Sequence, residues 1–210
     1  MVELIRNLDP TRISANLDRI REKAGPEVEI LAATKYVPTN EMGALAQAGI
    51  TLVGENRLQD LEEKRERWGE RFEWDFIGNL QSRKVKQILP LVRLIHSVAS
   101  DSVLTQLGRH AMPETEVLVE VNLSGEEGKG GMDPSELGEF ISRTPVRVSG
   151  LMTMPPFTED PESSRPYFAR LAELAGEHGL RRLSMGTTQD WQVAVEEGAT
   201  IVRLGSVLWA

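Results

Sequence analysis

The chain has 210 residues, 40% of them apolar, and its 32 acidic against 24 basic side chains give a net charge of -8. That length supports a sizeable core, and the acidic balance argues against general nucleic-acid binding through phosphates. The absence of cysteine removes thiol nucleophiles, thiolate metal sites and disulfides, and makes a cytoplasmic protein the simplest compartment reading. Glu3, Arg6, Asp9 and Arg12 interrupt the stretch from Met1 to Leu17, so no signal-peptide core fits there, and no uncharged run is long enough to cross a bilayer.

Leu8 to Ala24 places Ile13, Leu17, Ile20 and Ala24 at helical spacing, and Gly25-Pro26 ends that helix ahead of the first strand, Ile30 to Lys35. A helix from Thr39 to Ala48 leads to strand two, Ile50 to Val53, with Gly54-Glu55-Asn56 at its exit. The charged stretch Leu58 to Trp68 reads as a solvated helix, and Glu73 to Ile77 as strand three before Gly78-Asn79-Leu80-Gln81. Gln81 to Leu89 is helical. Strand four covers Val92 to Ile95 with His96-Ser97-Val98 at the exit, and a helix from Asp101 to His110 precedes strand five, Glu116 to Asn122. Pro134 to Ser142 is a helix with Asp133 as its cap, Val146 to Leu151 strand six, and Pro161 to His178 a long helix with Phe168, Leu171 and Leu174 inward. Arg182 to Met185 forms strand seven, a helix runs to Glu197, and Thr200 to Leu204 forms strand eight.

Eight strand-then-helix units after an extra N-terminal helix fit a single (β/α)8 TIM barrel over residues 1–210. An open doubly wound sheet is the competing architecture, because strand order is not visible in a sequence. In both, function gathers where strands end. Lys35 stands at the exit of strand one, where alternation puts it on one face with Leu31 and Ala33. A lysine partly removed from water can act as a neutral amine and form a Schiff base with a carbonyl; a snorkelling strand-end lysine is the plainer alternative. Gly186-Thr187-Thr188 after strand seven and Gly205-Ser206 after strand eight can converge on phosphate, although each turn taken alone fits ordinary helix capping.

Other segments carry less. Gly125 to Gly130 fails the Walker spacing and reads as a flexible loop, and His96 could act as an acid or base but reads first as a structural hydrogen-bonding residue. Three scattered histidines make no metal constellation. Glu62 to Arg67 reads as a solvated helix face, and Trp68 and Trp74 as packing residues.

The blocks Ala33-Thr34-Lys35, Gly54-Glu55-Asn56, Asp75 to Gln81, His96-Ser97-Val98, Val121-Asn122, Gly150-Leu151-Met152, Leu183 to Gly186 and Val202 to Ser206 occur in one order along essentially the whole chain. In them the chain resembles the pyridoxal phosphate homeostasis proteins, whose members are similar to the barrel domain of alanine racemase. The resemblance implies pyridoxal 5'-phosphate (PLP) held as a Schiff base on Lys35, with Thr187 or Thr188, Gly205 and Ser206 at its phosphate. Arg203 would approach the pyridine nitrogen, Asn56 would lie beside the cofactor, and Met185 and Gly186 are counted among the cofactor-binding residues. It implies a role in intracellular PLP (vitamin B6) homeostasis without established catalysis. A monomer is expected, since nothing requires a dimer to complete the site, and an open site would let amino acids or PLP-dependent apoenzymes serve as acceptors. The chain departs from the family pattern at Arg83, in place of a common asparagine, and at Thr187, and it ends at Trp209-Ala210 before the usual Gly-x-Arg.

Two other functions compete. A racemase-like PLP enzyme needs a second acid/base; of the two tyrosines, Tyr36 adjoins Lys35 but would point to the opposite strand face, and neither it nor Tyr167 makes a convincing second base. A Schiff-base phosphosugar aldolase accounts for Lys35 and the phosphate turns but not for Arg203 or the family blocks.

Overall fold

Asp9 sets the start of the first helix in the computed structural model, which describes residues 4–126 and 128–210. Its carboxylate accepts the Thr11 amide at 2.9 Å, and Pro10 takes the first helical position, where its missing N–H is harmless. The helix α1 (Pro10–Ala24) buries Ile13, Leu17, Ile20 and Ala24, as the spacing predicts.

Eight short strands follow: β1 (Glu29–Ala33), β2 (Leu52–Glu55), β3 (Glu73–Phe76), β4 (Leu94–Val98), β5 (Glu116–Glu120), β6 (Arg147–Met152), β7 (Arg182–Ser184) and β8 (Ile201–Leu204). All neighbours pair in parallel and β8 returns to β1 through Ile30 opposite Val202 and Leu31 opposite Arg203, which closes the barrel and excludes the open sheet. The helices between them are α2 (Met42–Gln47), α3 (Leu58–Trp68), α4 (Val85–Ile88), α5 (Asp101–His110), α6 (Leu137–Arg143), α7 (Arg165–Glu177) and α8 (Trp191–Glu196), and α9 (Ser206–Trp209) follows β8.

Alternation in the strands divides the core in two. Leu31, Leu52, Leu94, Leu118, Met152 and Ile201 form an apolar cluster inside the barrel, while Val53, Trp74, Phe76, Val117, Val119 and Val202 belong to the larger cluster that packs against the helices. Each fully buried leucine or isoleucine contributes about 1.5–3 kcal/mol relative to exposure.

Several boundaries differ from expectation; β2, for one, starts at Leu52 and takes in Gly54 and Glu55, which the sequence placed at its exit. β1 stops at Ala33, so Lys35 lies in the turn beyond it. β4 begins later and runs through Val98, with an irregularity between Ile95 and Val98, so His96 and Ser97 belong to the strand. The helix expected from Gln81 to Leu89 is broken into short turns around α4, and the last of these contains Pro90, which has no N–H to donate.

Candidate functional site

The Val37 amide bonds the Thr34 carbonyl at 2.8 Å and closes a tight turn with Lys35 and Tyr36 at its centre. Thr34 is fixed on every side. Its amide bonds Gly54 O at 3.0 Å, its hydroxyl donates to Glu55 Oε1 at 2.5 Å, and its carbonyl also accepts Lys64 Nζ at 2.8 Å. Lys35 is therefore presented from a rigid base, exposed, with Nζ 5.1 Å from the centroid of the Tyr36 ring.

Lys35 opens into a cavity of about 520 Å³ at the C-terminal mouth of the barrel. Its wall includes Ala33, Tyr36, Asn56, Met154, Thr187, Thr188, Gln189, Arg203, Gly205 and Ser206. Its volume falls in the roughly 300–1,000 Å³ range usual for small-ligand sites. Four other cavities are larger, at about 560–640 Å³, but none of them joins Lys35 to the β8 loop that carries Gly205.

The loops after β7 and β8 are tied together, since the Gly205 amide donates to Thr188 Oγ1 at 3.1 Å. Asp190 shapes the first of them by accepting the Thr187 amide at 2.7 Å and the Thr187 hydroxyl at 3.2 Å. Gly186 holds φ at +88°, and a Cβ there would lie 2.5 Å from Ala194 Cβ. The amides of Thr188, Gln189 and Ser206 have no protein acceptor among the described residues. In the same cavity wall, Asn56 Oδ1 is buried without a partner among the described residues. A closed-off acceptor and unspent donors in one cavity mark a place built for a polar ligand.

Arg203 is 5% exposed and enters the wall from β8. Nη1 donates to Ser184 O at 2.6 Å and to Ser184 Oγ at 2.5 Å, and Nη2 to Thr153 O and Met154 Sδ, each at 2.9 Å. Burial brings its pKa down to about 10, against the pull of Glu120 and Asp190, so it stays charged at neutral pH. Behind it a polar chain crosses the barrel. Ser184 Oγ lies 2.8 Å from His96 Nδ1, His96 Nε2 lies 3.0 Å from Asp75 Oδ2, and Arg93 grips Asp75 at 3.0 and 2.9 Å and also pairs with Glu29. Burial alone would raise Asp75, but the bonds from His96 and Arg93 outweigh it and hold the carboxyl below its ordinary range. Burial pushes His96 down, so the imidazole is neutral: Nε2–H donates to Asp75, and Nδ1 accepts the Ser184 hydroxyl proton.

The model of the alanine racemase N-terminal domain family matches residues 8–210. A pyridoxal phosphate homeostasis protein from Aquifex aeolicus is 41% identical, over 94% of this chain and 96% of its own. The chain belongs to this family. The structure of PipY from Synechococcus elongatus PCC7942 with PLP bound superposes with a TM-score of 0.83 at 29% identity, covering 94% of this chain and 100% of that one. Alanine racemase from Corynebacterium glutamicum shares the fold, with a TM-score of 0.76 at 16% identity over 99% of this chain and 63% of the racemase.

Among the residues predicted for this family member, Lys35, Asn56, Thr187, Thr188, Arg203, Gly205 and Ser206 line one cavity. Met185 does not; it is fully buried in the core packed against the helices, and Gly186 contributes its carbonyl to the Arg203 amide rather than surface to the cavity wall. Tyr36 corrects the strand-based reading, because the chain has already left β1 and both Lys35 and Tyr36 line the cavity. Lys64 corrects the solvated reading of Glu62 to Arg67. It is 4% exposed and pairs with Glu55 at 2.5 Å, because it falls on the face of α3 that also buries Leu58 and Leu61. That spacing, three residues beyond Leu61, was the available signal.

His96 serves a structural bond, as expected, and Trp74 is buried packing. Asn122 organises its own loop by bonding Glu126 O and Ser124, and Glu127 of the glycine-rich loop lies outside the described residues. Among the described residues no group of acidic or histidine side chains could hold a metal, and no helix is long and apolar enough to cross a membrane.

Proposed function

We propose that this chain binds PLP in the barrel-mouth cavity, covalently through Lys35 Nζ, and helps to control the level or delivery of intracellular PLP. The observation that carries this reading is the convergence of Lys35, the tied β7 and β8 loops and Arg203 on one cavity of suitable size. The family membership and the PLP carried by the PipY structure support it. The residues fit the group: the lysine amine suits its aldehyde, and the free amides of Thr188, Gln189 and Ser206, with the Ser206 hydroxyl, suit its phosphate. When bound, PLP supplies a carbonyl for amines and a ring that withdraws electrons.

Arg203 limits what that ring does. A guanidinium that stays protonated at neutral pH can only donate N–H to the ring nitrogen, and its charge would disfavour a second positive charge there, so the nitrogen would stay unprotonated, the ring a weak electron sink, and storage favoured over carbanion chemistry. On this reading the chain is a cytoplasmic, monomeric, single-domain carrier whose acceptors are amino acids or PLP-dependent apoenzymes.

The test is the visible spectrum of the purified protein before and after borohydride, with peptide mass mapping. A band that disappears, with pyridoxyl mass on Lys35, is the expected result. A colourless protein that takes up no added PLP overturns the reading and moves the phosphosugar aldolase to first place.

A further inference from the structure

Lys35, Tyr36 and Asn56 also line a second cavity of about 570 Å³, which opens sideways between the turn after β1 and helix α3. No residue of the β7 or β8 loops lines it. Its charged wall residues sort by what already occupies them. Lys64 is spent on Glu55, and Glu63 accepts a hydrogen bond from the Thr39 hydroxyl. Among the described residues, Arg57 and Asp60 form no ion pair or side-chain hydrogen bond and Arg67 has no acidic partner; Arg67 lies over the Trp68 ring, 5.9 Å from its centroid. A free guanidinium and a free carboxylate thus share one cavity without reaching each other.

Opposite charges held apart in a concave site suit a small molecule that carries both signs. We propose that this lateral cavity binds a zwitterionic α-amino acid, with Arg57 taking the carboxylate and Asp60 the ammonium. Arg is the side chain best shaped for a carboxylate, which it can hold through two parallel N–H donors. The site would bring an amino acid to Lys35 from the side, while the barrel mouth is closed by whatever Lys35 holds. This inference rests on the PLP-carrier reading for its purpose and names the acceptor class; the cavity itself does not depend on it.

The test uses the full chain free of cofactor and three probes: glycine, methylamine, which lacks the carboxylate, and acetate, which lacks the amine. Chemical-shift titration gives the affinity of each. Glycine is expected to bind better than either fragment. Arg57→Gln is expected to weaken glycine about tenfold or more, the size of a lost charge-assisted hydrogen bond. Asp60→Asn is expected to bring glycine closer to acetate. Acetate or methylamine binding as well as glycine, or glycine binding unchanged in Arg57→Gln, overturns the proposal. The same preparations, loaded with PLP and reduced with borohydride, separate the two readings. Pyridoxyl mass on Lys35 without glycine recognition sinks the lateral site alone, and absence of that mass sinks the carrier reading whatever glycine does.

Discussion

Lys64 holds its ammonium 2.5 Å from Glu55 Oε1, with both side chains closed to solvent, and the same ammonium bonds the carbonyl of Thr34, the residue before Lys35. Burial keeps the Glu55 carboxyl above its ordinary range even with Lys64 and Thr34 bonding it, and Oε2 has no partner among the described residues. The pair therefore ties β1, β2 and α3 together under strong mutual dependence.

Breaking one half of such a pair leaves a buried charge alone. Lys64→Met is expected to lower unfolding free energy by about 3–5 kcal/mol. The double variant Glu55→Gln/Lys64→Met removes both charges and is expected to recover a large part of that loss. Urea unfolding measures both, and a double variant no more stable than the single one would show that the charges are not coupled.

The His96 link to Asp75 sets a pH dependence. Folded His96 has its pKa below the ordinary 6.5, so under pH 6.5 the unfolded chain takes a proton that the folded chain refuses. Its contribution is complete above pH 6.5 and is lost as pH falls below that value, by up to about 1.4 kcal/mol per pH unit for one proton. Melting of the wild type and His96→Gln between pH 7.5 and 5.5 should show the steeper fall in the wild type. Parallel curves would mean that His96 titrates normally.

Lys35→Ala should abolish borohydride-fixed pyridoxyl while leaving weaker, phosphate-dependent PLP binding. An adduct fixed instead on another lysine, such as Lys129, would end the single-anchor reading. Thr188→Val removes the acceptor of the Gly205 amide and loosens the two loops, so PLP should bind about fivefold to tenfold more weakly, the size of one hydrogen bond.

Gly78 lies behind Asn56, where an added Cβ would sit 2.2 Å from Asn56 O. Gly78→Ala must displace that backbone, at about 1–3 kcal/mol or more, and should weaken PLP binding along with stability. Equilibrium dialysis at a temperature where the variant remains folded checks it. Unchanged affinity would remove Asn56 from the site.

The sequence by itself determined the eight strand-and-helix units, because strand alternation, helical spacing and glycine stops are local. It also marked Lys35, the Thr187–Thr188 turn and Gly205-Ser206, because residues at strand exits share one end of any parallel barrel. Closure was another matter. The pairing of β8 with β1 joins residues at opposite ends of the chain, and no local pattern distinguishes it from an open sheet. The tertiary structure also decided which polar groups are free. Met185 reads like its neighbours in the loop blocks but is buried, Lys64 sits in a charged run but is spent on Glu55, and Tyr36 faces the cavity because β1 ends two residues before Lys35. Burial and pairing depend on what the rest of the chain brings to a side chain, so these assignments became available only when all eight strands stood in place.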